Sequence, residues 1–372
     1  MPDGIEQFIR IDMSRFGAYS PCKSPDVIAQ KLQIPESEII KLDANENPYG
    51  CSPRVRQALK EYPYFNIYPD AAQTELRRYL SDYTGIGVEH LVAGNGSDEL
   101  IDLLLRLFMA PGDEIITAVP TFDMYRFCAQ VCCGRAIEVQ RNADFSLNVS
   151  AIKSALSERT RAIFIANPNN PTGNLVLKTD ILELVATGVP LIIDEAYYEF
   201  SGETVADLVP AHDNLIVLRT FSKWAGLAGL RIGYGIFPTR IAEILLKIKP
   251  PYNVNLAALV AVRESLKDRD YLLNTVKNMI KERSRLYQKL SELHFLKPVP
   301  SSANFILCEV IRGRASDIQD ALERKGILVR YYNTPLLNNY IRISVGKPEH
   351  TEKVIQALHE LGERIDDEKS IY

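Results

Sequence analysis

Histidine is scarce in this 372-residue chain, and the five present, His90, His212, His294, His350 and His359, lie outside every motif described below. That argues against a histidine general base. Cysteine is also sparse: Cys22, Cys51, Cys128, Cys132, Cys133 and Cys308 form no CxxC pair and have no histidine at zinc-ligand spacing. Reduced, buried thiols are expected, and no metal site. No run approaches the roughly 20 apolar residues of a membrane span, and the opening MPDGIEQFIRIDMSRF lacks the basic and apolar regions of a secretory signal, so a cytoplasmic protein is expected. Charge of one sign is missing too. With 24% charged residues and a net charge of −4, nothing provides an electrostatic footprint for nucleic acid or an anionic membrane. Small neutral or anionic ligands remain.

What the chain does have is apolar content, 46% of its residues, enough for a large core divided between one large and one smaller domain. From about residue 90 to 236 short apolar runs alternate with helical patterns. The runs at 90–93, 114–119, 136–139, 162–166, 191–193, 215–218 and 231–236 are bounded by Gly, Pro, Asp or Asn. This is the pattern of an α/β fold with a mostly parallel seven-stranded sheet flanked by helices. After Pro250-Pro251 the spacing predicts a long charged amphipathic helix to about His294. Strand-like runs follow at 304–308, 327–330 and 340–344, with helices at 315–325 and 349–364, as in a smaller α+β domain. The expected division is an arm over 1–40, packing on the small domain or a partner subunit, with one short helix near 25–32, then a large domain over 41–250 and a small one over 251–372.

The richest segment is TFSKWAGLAGLRIGY at 220–234. Lys223 stands at a strand's carboxyl end, where open α/β sheets bind ligands, and nearby cations could lower its pKa enough for Schiff-base chemistry. Thr220, Ser222 and Arg231 supply donors for a phosphate. A Ser-Lys pair alone reads equally as a solvated surface lysine. In LIIDEAY at 191–197 a buried-looking strand ends in Asp194, three residues before Tyr197. A carboxylate there could keep a pyridine nitrogen protonated, and the phenol could hydrogen-bond a ring oxygen; a helix N-cap is the plainer use of Asp194. In NPNNPTG at 167–173 a rigid turn could aim the amide of Asn170 at the same oxygen, or be a turn and nothing more. GNGSDE at 94–99, which lacks the third glycine of a dinucleotide fingerprint, offers backbone N–H groups at Gly96, Ser97 and Asp98 to an anion. Phe122 could stack on an aromatic ring or pack in the core. Arg330 and Arg342 sit in late strand-like runs; each could clamp an anionic substrate or form a structural salt bridge.

Taken in this order, the motifs resemble those of the fold-type-I aminotransferases, which depend on pyridoxal 5'-phosphate. Within them the chain is most similar to the histidinol-phosphate aminotransferase family. The cues are LDANENP at 42–48, Tyr68-Pro69, GSDE at 96–99, SSANF at 301–305 and GILVR at 326–330. The resemblance implies that Lys223 carries the cofactor as a Schiff base and later moves the proton, and that Asp194 pairs with the pyridine nitrogen. It implies that Asn170 and Tyr197 contact the ring oxygen and that Phe122 stacks on the ring. It assigns the cofactor phosphate to the backbone of Ser97 and Asp98, to Thr220, Ser222 and Arg231, and to Tyr68 from the second subunit of a homodimer. It assigns the substrate phosphate to Arg330, Arg342 and Tyr19, and the mouth of the pocket to Asn47. The implied reaction passes an amine between histidinol phosphate and 2-oxoglutarate, giving imidazole acetol phosphate and glutamate, as in histidine biosynthesis. Its rivals are an aromatic amino-acid aminotransferase, a decarboxylase of a phosphorylated amino acid and a non-catalytic, cofactor-sensing regulator.

Overall fold

The computed structural model describes residues 4–9 and 24–367. Among the described residues twelve strands fall into two sheets: β1 (Ile40–Leu42), β2 (Leu91–Gly94), β3 (Glu114–Val119), β4 (Arg135–Gln140), β5 (Thr160–Ala166), β6 (Leu191–Asp194), β7 (Leu215–Thr220), β8 (Gly233–Ile236), β9 (Leu296–Pro298), β10 (Phe305–Val310), β11 (Ile327–Tyr331) and β12 (Tyr340–Ser344). The larger sheet has the order β2-β8-β7-β6-β5-β3-β4, parallel except at β8, which runs antiparallel to both neighbours. Its central strands are apolar on both faces, with all four residues of β6 and all six of β7 buried, because helices cover both sides. Two apolar layers result. Ile163, Ile165, Ile193 and Val217 face one, while Phe164, Ile192, Ile216 and Leu218 face the other.

All seven apolar runs of the first half form strands, within two residues at each end. Arg231 is the exception. It lies outside β8 at φ 53°, the left-handed step after the short helical turn Ala228–Leu230, so the strand begins two residues later than the pattern implied.

The second sheet has the order β1-β11-β12-β10-β9. Only β1 comes from the first half of the chain; it pairs in parallel with β11, Ile40 opposite Ile327 and Leu42 opposite Val329. The single long helix expected after the double proline is two helices, Leu256–Lys267 and Arg269–Ser291, separated at Asp268. The second of these crosses from one core to the other. Leu272, Val276 and Met279 pack with the large sheet, Leu286 and Leu290 with the small one. Among the described residues no helix is long and apolar enough to cross a membrane.

Candidate active site

A cavity of about 450 Å³ opens at the carboxyl ends of β5, β6 and β7, closed on its far side by β11 and β12. Its size suits a small ligand. It brings together Ser97, Asp98, Phe122, Asn170, Asp194, Tyr197, Thr220, Ser222, Lys223, Arg231, Arg330 and Arg342. These residues are far apart in sequence, and the parallel connections return each strand to the same edge.

Lys223 rides on the turn that follows β7. Phe221, Trp224 and Ala225 are completely buried around it, which leaves Ser222 and the lysine as the side chains of the turn that face the cavity. Its Nζ donates to the carbonyl of Ala44 at 3.0 Å. Burial, then the nearby Arg342 cation, pull its pKa down to about 8. Roughly a tenth of the amine is then neutral at pH 7, against a few ten-thousandths at the ordinary value. Capture of an aldehyde by the cofactor-free protein should therefore speed up with pH only as far as about 8 and then level off. Stopped-flow absorbance from pH 6 to 10 measures this; a rate still climbing at pH 10 would mean an unperturbed lysine.

Asp194, the last residue of β6, is buried and held from two sides. Its Oδ1 accepts from Ala196 N at 3.1 Å and its Oδ2 from the hydroxyl of Tyr125 at 2.7 Å. Burial raises the carboxyl to about 6, and those two hydrogen bonds oppose the rise. A cation arriving in the cavity would restore the ionised form. Tyr125 went unmarked in the sequence because an apolar helix residue three after Phe122 reads as core. It is core, stacked on Phe164 at 5.0 Å and edge-on to Phe122 at 5.6 Å, but its hydroxyl serves the carboxylate.

The Tyr197 hydroxyl accepts from Asn45 Nδ2 at 2.9 Å. Asn45 also lines the cavity, at φ 55°, with its backbone N–H on Ser344 Oγ. It belongs to the LDANENP motif, two residues before Asn47. Asn47, expected at the mouth, is instead buried, accepting from Tyr49 N and donating to the carbonyl of Trp224 at 2.8 Å. It braces the turn that carries Lys223.

An anion cradle lies at the start of the helix Ser97–Phe108. Gly96 has φ 82°, where side chains are strained, and a Cβ there would stand 2.6 Å from Arg231 Nη2, so any other residue would push the guanidinium from this position. At Gly233 a Cβ would stand 2.4 Å from Ser97 N, so a bare backbone in β8 lets the helix start close in. Thr220 Oγ1 lies 3.0 Å from Ser222 Oγ, and Arg231 Nη2 donates to Asp98 Oδ2 at 2.6 Å. Backbone N–H groups, two hydroxyls and a guanidinium around an opening kept free of side chain match a phosphate monoester, and the buried Asp194 matches a protonated ring nitrogen. The residues fit pyridoxal phosphate.

Arg330 and Arg342 are directly opposite each other in the β11–β12 register. Like charges so placed repel, and an anion between them relieves the repulsion. Arg342 is buried; it donates to Asn170 Oδ1 at 2.5 Å and to the Asp43 carbonyl at 2.6 Å, both neutral acceptors, and its Nε has no hydrogen-bond partner among the described residues. Both guanidinium groups approach the ring of Tyr332, at 5.6 and 5.8 Å, a wall residue that nothing in the sequence marked.

Tyr68 does not line the cavity. It is 77% exposed and stacked on Tyr252 at 4.4 Å. Tyr19 lies outside the described residues.

Residues 37–358 match the family described as aminotransferase class I and II. The histidinol-phosphate aminotransferase of Dehalococcoides mccartyi is 52% identical over 98% of this chain and 100% of its own length. The chloroplastic enzyme of Nicotiana tabacum is 45% identical over 95% and 86%. The structure of histidinol-phosphate aminotransferase from Sinorhizobium meliloti in complex with pyridoxal-5'-phosphate superposes with a TM-score of 0.84 at 24% identity, covering 95% of this chain and 100% of that one. The chain belongs to the class I and II aminotransferases, in the histidinol-phosphate aminotransferase family.

Proposed function

We propose that this chain passes an amino group between histidinol phosphate and 2-oxoglutarate, giving imidazole acetol phosphate and glutamate, with net flow in the opposite direction during histidine biosynthesis. The observation that carries the reading is the pair Arg330 and Arg342, in register on the wall of the cavity that Lys223 enters. Both substrates have an acidic group at a comparable distance from the reacting amine or carbonyl. Two guanidinium groups suit the phosphate of one and the carboxylate of the other.

Bound pyridoxal phosphate supplies an aldehyde for the lysine and a pyridine ring that withdraws electrons from the substrate carbon. Lys223 would hold that aldehyde through its Nζ, and its free amine would move the proton off the amine-bearing carbon of the substrate. Asp194 keeps the ring nitrogen protonated. Tyr197, and Asn170 through the Nδ2 that Arg342 leaves free, donate to the ring oxygen, and Phe122 covers a ring face. Ser97 and Asp98 through their backbone, with Gly96 leaving the space, Thr220, Ser222 and Arg231 hold the phosphate.

A homodimer completes the site in this reading. Tyr64, Phe65, Ile67, Tyr68 and Tyr252 are all at least 48% exposed, an aromatic and apolar face of the kind that marks an interface. In this reading Tyr68, exposed on that face, would reach the phosphate bound by the second copy across a twofold axis.

Steady-state turnover with 2-oxoglutarate as acceptor tests the substrate. Histidinol phosphate should exceed phenylalanine and tyrosine by at least about tenfold in kcat/KM, or about 1.4 kcal/mol. The reverse preference would indicate an aromatic aminotransferase, and carbon dioxide release without glutamate a decarboxylase. Arg330→Ala should lower kcat/KM for histidinol phosphate about 30-fold, or about 2 kcal/mol, the worth of a hydrogen bond to a charged group.

A further inference from the structure

Directly behind the cavity wall lies a buried ion pair that no step of the chemistry uses. Glu195 is completely buried and Arg219 is 3% exposed. Arg219 Nε and Nη2 both donate to Glu195 Oε2, at 3.0 and 2.9 Å, and Nη2 also reaches Thr204 Oγ1 at 2.7 Å. Glu195 Oε1 accepts from Val205 N at 2.8 Å. The guanidinium lies 3.7 Å over the ring of Tyr198. Placing two charges in the interior is costly, and apolar residues of similar volume usually serve stability as well or better. The pair therefore calls for a use other than stability.

Its position supplies one. Glu195 immediately follows Asp194 at the end of β6, and Arg219 immediately precedes Thr220 at the end of β7. Strand alternation turns Asp194 and Thr220 to the cavity and their charged neighbours away from it. Glu195 N donates to the Leu218 carbonyl at 2.8 Å, the last rung between the two strands. Beyond that rung the ion pair is what ties the strand ends together, and Ser222 and Lys223 begin three residues after Arg219. Catalytic geometry tolerates little slack, since a displacement of about 1 Å can cost about 10²-fold.

We propose that Glu195 and Arg219 are positioning residues for transamination, fixing Asp194 against Thr220, Ser222 and Lys223; this rests on the function proposed above. Three variants decide it: Glu195→Gln, Arg219→Met and the two together. Each single change leaves a buried partner uncompensated and should lower both melting temperature and kcat. The double variant removes both charges at nearly constant volume, so its melting temperature should return toward that of the wild type. Its kcat should stay at least about tenfold low, and its dissociation constant for pyridoxal phosphate, titrated into the cofactor-free protein, should be raised at least about fivefold. Wild-type kcat and cofactor affinity at a recovered melting temperature would overturn the proposal, because the pair would then serve neither geometry nor stability. Should the double variant fold poorly, Arg219→Lys keeps the charge without the planar fork, and the same two readouts apply with the same overturning result. The cofactor titration needs no turnover, so it can fail independently of the substrate assignment.

Discussion

Replacing Lys223 with alanine should lower kcat by about 10⁴-fold or more and remove the visible absorption of the bound cofactor. Two roles disappear with one side chain, the covalent hold on the cofactor and the base that moves the proton, and each alone is worth orders of magnitude. The fold should survive. The lysine's ammonium form is disfavoured by burial and by Arg342, and among the described residues its one hydrogen bond goes to the Ala44 carbonyl. The melting temperature of the cofactor-free variant should thus match or exceed that of the wild type below pH 8. A variant that still forms a borohydride-reducible adduct would place the reacting amine elsewhere, and one that unfolds would contradict the expected stability.

Asp194→Asn is expected to lower kcat by about 10³-fold, or about 4 kcal/mol, with little change in shape. Asparagine can still accept from Ala196 N or the Tyr125 hydroxyl, but it cannot hold a proton on the ring nitrogen. The variant also reports on the buried carboxyl. In the cofactor-free protein this group has a folded-state pKa of about 6, above its unfolded value, so ionising it in the native state costs stability. That cost is absent well below the unfolded pKa, grows as the pH rises to about 6, and is complete above it. Cofactor-free Asp194→Asn should accordingly be more stable than the wild type at pH 7 and approach it below about pH 3, by urea denaturation at the two pH values. Turnover within tenfold of the wild type would remove Asp194 from the chemistry.

The large sheet was legible because its strands are apolar on both faces and each is closed by Gly, Pro, Asp or Asn. Strands β1 and β9 escaped because three residues are too few for a period to register, and β1 depends on a partner nearly 290 residues away. The break at Asp268 escaped for the opposite reason: the helical spacing continues on either side of it. In the site, residues that end apolar strands or sit among glycines and prolines could be picked out, namely Lys223, Asp194, Asn170 and Thr220. Those that act through a partner could not. Tyr125 and Tyr332 look like core aromatics until the fold brings Asp194 and the two arginines to them. Asn45 and Asn47 are equivalent on paper; the left-handed turn at Asn45 sends one amide to Tyr197 and the other to the backbone behind Lys223.

The measurement that bears most directly on this account is borohydride reduction of the protein reconstituted with pyridoxal phosphate, followed by proteolysis and mass spectrometry of the modified peptide. A single pyridoxyl group on Lys223, lost from the Lys223→Ala protein, is the predicted result. A modified peptide that excludes residues 220–234, or modification spread over several lysines, would contradict it.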